Sequence, residues 1–131
     1  MMGTTLLRRA GLWMPPLVYM MLIFHFSSES EPLPVLTAHI WDKLLHLIEY
    51  AGLALLVFRA LDGEDLSWQR STALTIIIVS AYGASDELHQ LFVPLRTSDL
   101  RDWMTDTLAG GIGAAACAVF RFSGNRKKSS S

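Results

Sequence analysis

The stretch Ser85–Gly113, SDELHQLFVPLRTSDLRDWMTDTLAGGIG, decides how this chain is read. It sets Asp86, Glu87, Arg96, Asp99, Arg101, Asp102 and Asp106 between two apolar segments. Carboxylates bordering apolar helices are costly in hydrocarbon, so a chain that keeps them there has a use for them. Pro94 stops the first segment, and Ser98 or Asp99 suits the N-cap of a following helix. The stretch therefore reads as one helix ending, a short connection, and a second helix beginning.

The rest of the chain is built to match. Its 131 residues make one domain. Hydrophobic residues form 51% of it and charged residues 18%, against about 25% charged in soluble domains. Mean hydropathy is +0.33. The charges are clumped, and the apolar runs between them exceed what a soluble core of this size absorbs, which points to a membrane protein. The single cysteine, Cys117, excludes an intrachain disulfide and any paired-cysteine metal motif. No basic run with interleaved aromatics is present, which argues against nucleic acid as a partner. There is no GxSxG, and DELHQ is not HExxH, because Ser85 stands four residues before His89.

Four helical spans are expected, an all-α polytopic bundle. The first runs from about Leu12 to Phe26, as an uncleaved span after the basic pair Arg8 and Arg9. Pro15 and Pro16 would then sit in its first turn, where no intrahelical N–H is lost. The segment from Ser27 to His39 reads as a loop. The second span starts near Ile40 or Trp41 and ends near Leu61, and the third covers Arg70 to Leu91. The centre of the third, ALTIIIVSAYG, is β-branched, but its length and the absence of a hairpin signal favour a helix. The fourth runs from about Arg101 to Phe122. Residues 1–11 are expected as a cytoplasmic basic tail, 12–122 as the four-span domain, and 123–131 as a disordered basic tail.

An even number of spans puts both termini on one side. Arg8, Arg9, Arg59, Arg70, Arg121, Arg126, Lys127 and Lys128 fall at one face, and Lys43, Arg96 and Arg101 at the other. The positive-inside rule makes the first face cytoplasmic. Only Asp62, Glu64 and Asp65 among the acids join it, so the opposite mouth is acidic.

Helical spacing gathers a constellation at that mouth. Asp42, His46, Glu49 and Tyr50 share one face of the second helix, with Lys43 beside them. Asp86 and Gln90 are four apart near the end of the third, with Glu87 adjacent. Asp99, Asp102 and Asp106 follow one face of the fourth. Two distant pieces of chain thus converge at one depth. Three chemistries fit these residue types. Carboxylates with a histidine suit a divalent cation; the same groups suit general acid–base work; or they hold helices together. Asp42, Asp99 and Asp102 equally suit helix caps, and Glu87 and His89 suit solvent. Arg96 is the natural fork for a carboxylate or phosphate. Small residues four apart, Ala109 with Gly113 and Gly110 with Ala114, suit close helix packing against Gly83 and Ala84. Trp41 and Trp103 at one boundary, with Trp13 and Trp68 at the other, match an aromatic belt.

The pattern Asp42, Lys43, His46, Tyr50, then Asp86, Glu87, Gln90, then Arg96, Asp102, Asp106 and Gly110 resembles the VanZ-like family of small bacterial membrane proteins. The resemblance covers roughly Phe24 to Phe120 and implies a four-span helical domain. Where relatives often carry asparagine this chain has Asp106, and where a glycine commonly precedes the family arginine it has Leu95. The family name comes from a protein associated with resistance to the glycopeptide teicoplanin; the resemblance carries over the site and not that phenotype.

The expectation that follows is an inner-membrane protein of a bacterium, with both termini cytoplasmic. Its outward-facing acidic, histidine and arginine site would bind or process an envelope lipid or lipid-linked precursor. His46, Asp86, Glu87 and Asp106 would serve as acid–base groups or metal ligands, with a divalent cation mediating. Arg96, Tyr50, Gln90 and Asp102 would contact the substrate, while Asp42, Lys43, Gly110 and Gly113 would be structural. The alternative is a non-catalytic accessory or structural membrane protein, with the polar cluster acting as helix glue and partner contact. Oligomerisation is compatible with either.

Overall fold

The computed structural model describes residues 2–29 and 39–129, without the side chains of residues 2, 39–42 and 124–129. It is an all-α bundle: α1 (Met2–Ser27), α2 (His39–Asp62), α3 (Trp68–Gln90) and α4 (Leu100–Ser129). The centre of the expected 27–39 loop and the side chains of Trp41 and Asp42 lie outside the described residues.

The helix ends follow local chemistry. Ser67 caps α3, its hydroxyl oxygen accepting from the Arg70 N–H at 3.4 Å. Asp99 caps α4, its carboxylate accepting from the Arg101 N–H at 2.8 Å. Between α3 and α4 the Arg96 N–H returns to the Val93 carbonyl at 3.2 Å, closing a turn with Pro94 second and Leu95 third. Leu95 has φ 65° there, as Asp65 has φ 60° in the α2–α3 turn.

Two helices run longer than expected. Helix α1 begins at Met2, so Pro15 and Pro16 lie inside it and not in its first turn. Each leaves a carbonyl one turn back without its helical N–H. Helix α4 continues beyond Phe122 to Ser129.

The centre of the bundle is α2. Tyr50, Leu53, Ala54 and Val57, spaced three and four apart, are fully buried with Val79 of α3 and Ala109 of α4. Helix α2 packs along both α4 and α3, which also pack on each other, and α1 lies against α2 with a narrower contact to α3. The surface is inverted relative to a soluble protein. Leu55, Ile77, Leu108 and Ile112 are exposed while Ser71, Thr75, Asp86, Gln90 and Asp106 are buried. Among the described residues three helices hold stretches long and apolar enough to cross a membrane: Gly3–Ser27, Lys43–Asp62 and Leu100–Ser123. Helix α3 does not reach that apolarity, because Arg70, Asp86, Glu87, His89 and Gln90 dilute its ends.

Candidate functional site

The polar residues of the mouth are laid out by two parallel helices. On α2, Lys43, His46 and Tyr50 step inward by three and four residues; on α4, Asp102 and Asp106 step inward by four. The registers match. Lys43 Nζ donates to Asp102 Oδ1 at 3.0 Å, and one turn deeper His46 Nδ1 meets Asp106 Oδ1 at 2.9 Å. Exposure falls along this ladder, from 39% and 15% at the outer pair's side chains to 12% and 0% at the inner. On the adjoining side the Tyr50 hydroxyl donates to Asp86 Oδ2 at 3.3 Å. Gly83 of α3 makes room for this layer, since a Cβ there would lie 3.1 Å from Asp106 Cβ and 3.4 Å from Tyr50 Cε1.

The third helix ties the layer to its neighbours. Gln90 Nε2 donates to Ser27 Oγ of α1 at 3.1 Å and approaches Asp86 Oδ2 at 3.5 Å. Glu87 Oε2 accepts the Asp99 backbone N–H at 2.8 Å, so an α3 carboxylate caps the positive end of α4. His89, which also suited solvent, shares a 2.9 Å hydrogen bond with Ser28 Oγ and lies tilted against the Phe24 ring, centroids 4.3 Å apart. Arg96 Nε donates to the Glu29 carbonyl at 3.1 Å and its Nη2 to the Phe26 carbonyl at 3.5 Å. Phe26 lies in the last turn of α1 and Glu29 just beyond it, so the guanidinium sits at the negative end of that helix.

These partners overturn the expected outward-facing site. Asp86, Glu87, Gln90 and Asp106 are buried, and His46, Tyr50, Lys43, Asp102 and Arg96 each have a partner on another segment. The fork proposed to grip an anionic headgroup holds a helix terminus. The reason is geometric: side chains spaced three and four apart on packed helices find one another before they find the mouth. Each buried carboxylate uses one oxygen in this way; Asp86 Oδ1, Glu87 Oε1 and Asp106 Oδ2 have no hydrogen-bond partner. Among the described residues no group of three or more His, Cys, Asp or Glu side chains is placed to hold a metal ion. The cation reading therefore gains no support from the geometry.

The small residues of α4 do not meet the expected Gly83 and Ala84 patch, since Gly83 adjoins Asp106 and Tyr50, but they do face neighbouring helices. A Cβ on Gly110 would lie 2.8 Å from Val79 Cγ1, and one on Gly113 would lie 2.8 Å from Ala54 Cβ and 2.9 Å from the Ala51 carbonyl oxygen. Trp103, read as a belt residue, turns its indole N–H to the Ser80 carbonyl at 3.0 Å.

A second polar cluster, at the opposite end, was not anticipated as one. Arg9 Nε and Trp13 Nε1 both donate to the Glu64 carboxylate at 3.1 Å. Arg8 lies 3.6 Å from Asp65, and Arg121 pairs with Asp62 while donating to the Leu66 carbonyl at 3.2 Å. The start of α1 and the end of α4 thus clasp the α2–α3 turn. Three acids isolated at a basic face were the available signal.

Fold and site together define a multi-pass membrane protein whose polar residues are turned inward, helix to helix. The chain belongs to the VanZ/LLP1 family, whose model matches residues 6–121. No curated protein and no solved structure matches it.

Proposed function

We propose that this chain is a non-catalytic structural or accessory protein of the bacterial inner membrane. Its mouth residues lock a four-span bundle together, and α3 crosses as the fourth span. Support for α3 comes from its neighbours: Asp86, Glu87, His89 and Gln90 at its C-terminal end bond to groups on or beside α1, α2 and α4, which lowers the cost of carrying them into hydrocarbon. Helix α4, which runs on to Ser129, carries the last span towards the cytoplasmic side, and both termini lie there by the distribution of basic residues.

The observation that carries this reading is the matched ladder of Lys43 with Asp102 and His46 with Asp106. The test is a double-mutant cycle on the full chain in detergent, with His46→Ala and Asp106→Ala singly and together. Each single change should lower thermal stability, and the pair should show a coupling of about 1 kcal/mol. Independent effects on stability would defeat the reading, as would stable variants that lose a cellular phenotype.

A further inference from the structure

The α3–α4 connection carries an apolar tip that the bundle does not use. Phe92 is 83% exposed and Leu95 84%, with Leu88 and Leu91 each at 62%. The segment is not loose. Val93 points inward and is buried, the Phe92 N–H bonds the His89 carbonyl at 2.9 Å, and Arg96 fastens the far side of the turn to α1. Phe92 and Leu95 therefore face outward on a braced support.

Two further observations bear on what covers them. Leu95 holds φ 65° at the third position of a turn, a conformation glycine adopts freely and a leucine only at a cost. An exposed leucine that accepts backbone strain has a use for its side chain. The tip also continues a stripe: Leu74, Ile77, Ala81 and Leu88 lie three, four or seven apart on one exposed face of α3, and Leu91 at its C-cap prolongs it. That face meets lipid if α3 spans, so the tip prolongs a lipid-facing surface past the helix end.

We propose that the α3–α4 connection is an interfacial membrane anchor. Phe92 and Leu95 lie in the acyl–headgroup boundary of the leaflet at this end of the bundle, and so set how deeply the His46–Asp106 layer sits. The inference rests on α3 as the fourth span, and the experiment separates the two.

The full chain, with Cys117→Ala, is reconstituted in phosphatidylethanolamine–phosphatidylglycerol vesicles. Single cysteines are introduced as Phe92→Cys, Leu95→Cys or Ile77→Cys, and each carries an environment-sensitive fluorophore. All three positions are exposed, so the changes leave the core intact. At 92 and 95, lipids brominated near the glycerol backbone should quench severalfold more than aqueous iodide, and at 77 lipids brominated in mid-chain should quench. Stronger iodide quenching at 92 and 95, with 77 still reached by lipid, overturns the anchor and leaves the span. A tip reached by neither quencher is covered by protein, which also overturns the anchor. A position 77 that lipid does not reach overturns the span and, with it, the stripe on which the anchor rests.

Discussion

Leu95 is the residue whose backbone and side chain are most at odds. Its φ of 65° costs about 1–2 kcal/mol for a side chain with a Cβ. Its side chain is 84% exposed and returns little packing within the bundle. Leu95→Gly should therefore raise the stability of the detergent-solubilised chain by about 1 kcal/mol, while Leu95→Ala, which keeps the Cβ, should not. Denaturant titration of the two variants distinguishes them. A stabilising alanine would show that the strain is not at this backbone position. The same substitution to glycine would weaken the proposed anchor, so stability in detergent and depth in vesicles should move in opposite directions.

At the scale of the helix, Gly111 and Gly113 of α4, two residues apart, behave differently because they face different surroundings. Gly113 abuts the backbone of α2, with the Ala51 carbonyl oxygen 2.9 Å from where its Cβ would stand. Gly113→Val forces the two helices apart and should cost about 2 kcal/mol. Gly111 meets nothing within 4 Å, so Gly111→Ala should gain up to about 1 kcal/mol through helix propensity alone. Thermal melts of both variants check the contrast, and equal effects would mean that α4 is rotated relative to α2. Arg96 gives a test of α1. Its guanidinium bonds the Glu29 and Phe26 carbonyls, and Arg96→Ala should destabilise the bundle by about 1 kcal/mol. Faster amide exchange confined to the end of α1 is the accompanying signature; a change confined to α4 would contradict the assignment.

For the whole molecule, the ends of the bundle differ in kind. At one end acids, His46 and Lys43 of three helices interlock, from a partly exposed outer pair to a buried inner one; at the other, arginines from α1 and α4 clasp the α2–α3 turn. The Arg8 pair with Asp65 is exposed and contributes little to stability, while Glu64 and the Arg121–Asp62 pair are partly buried. Reporters fused to each terminus should be active in their cytoplasmic form and inactive in their exported form. A terminus that reads as exported would reverse the orientation or remove the fourth span.

Composition and helical spacing already contained the four helices and the meeting of Lys43, His46 and Tyr50 with Asp86, Asp102 and Asp106. These depend on local periodicity and on which residues tolerate hydrocarbon, and both are written along the chain. Whether that polar group would open outward or close on itself depended on the relative rotation and register of α2, α3 and α4. So did the capture of Arg96 by the end of α1 and of Glu64 by Arg9 and Trp13, pairs more than fifty residues apart. A side chain's type states what it can bond. Only the packing of distant helices settles which partner is within 3 Å, because that distance is the outcome of every contact in the bundle together.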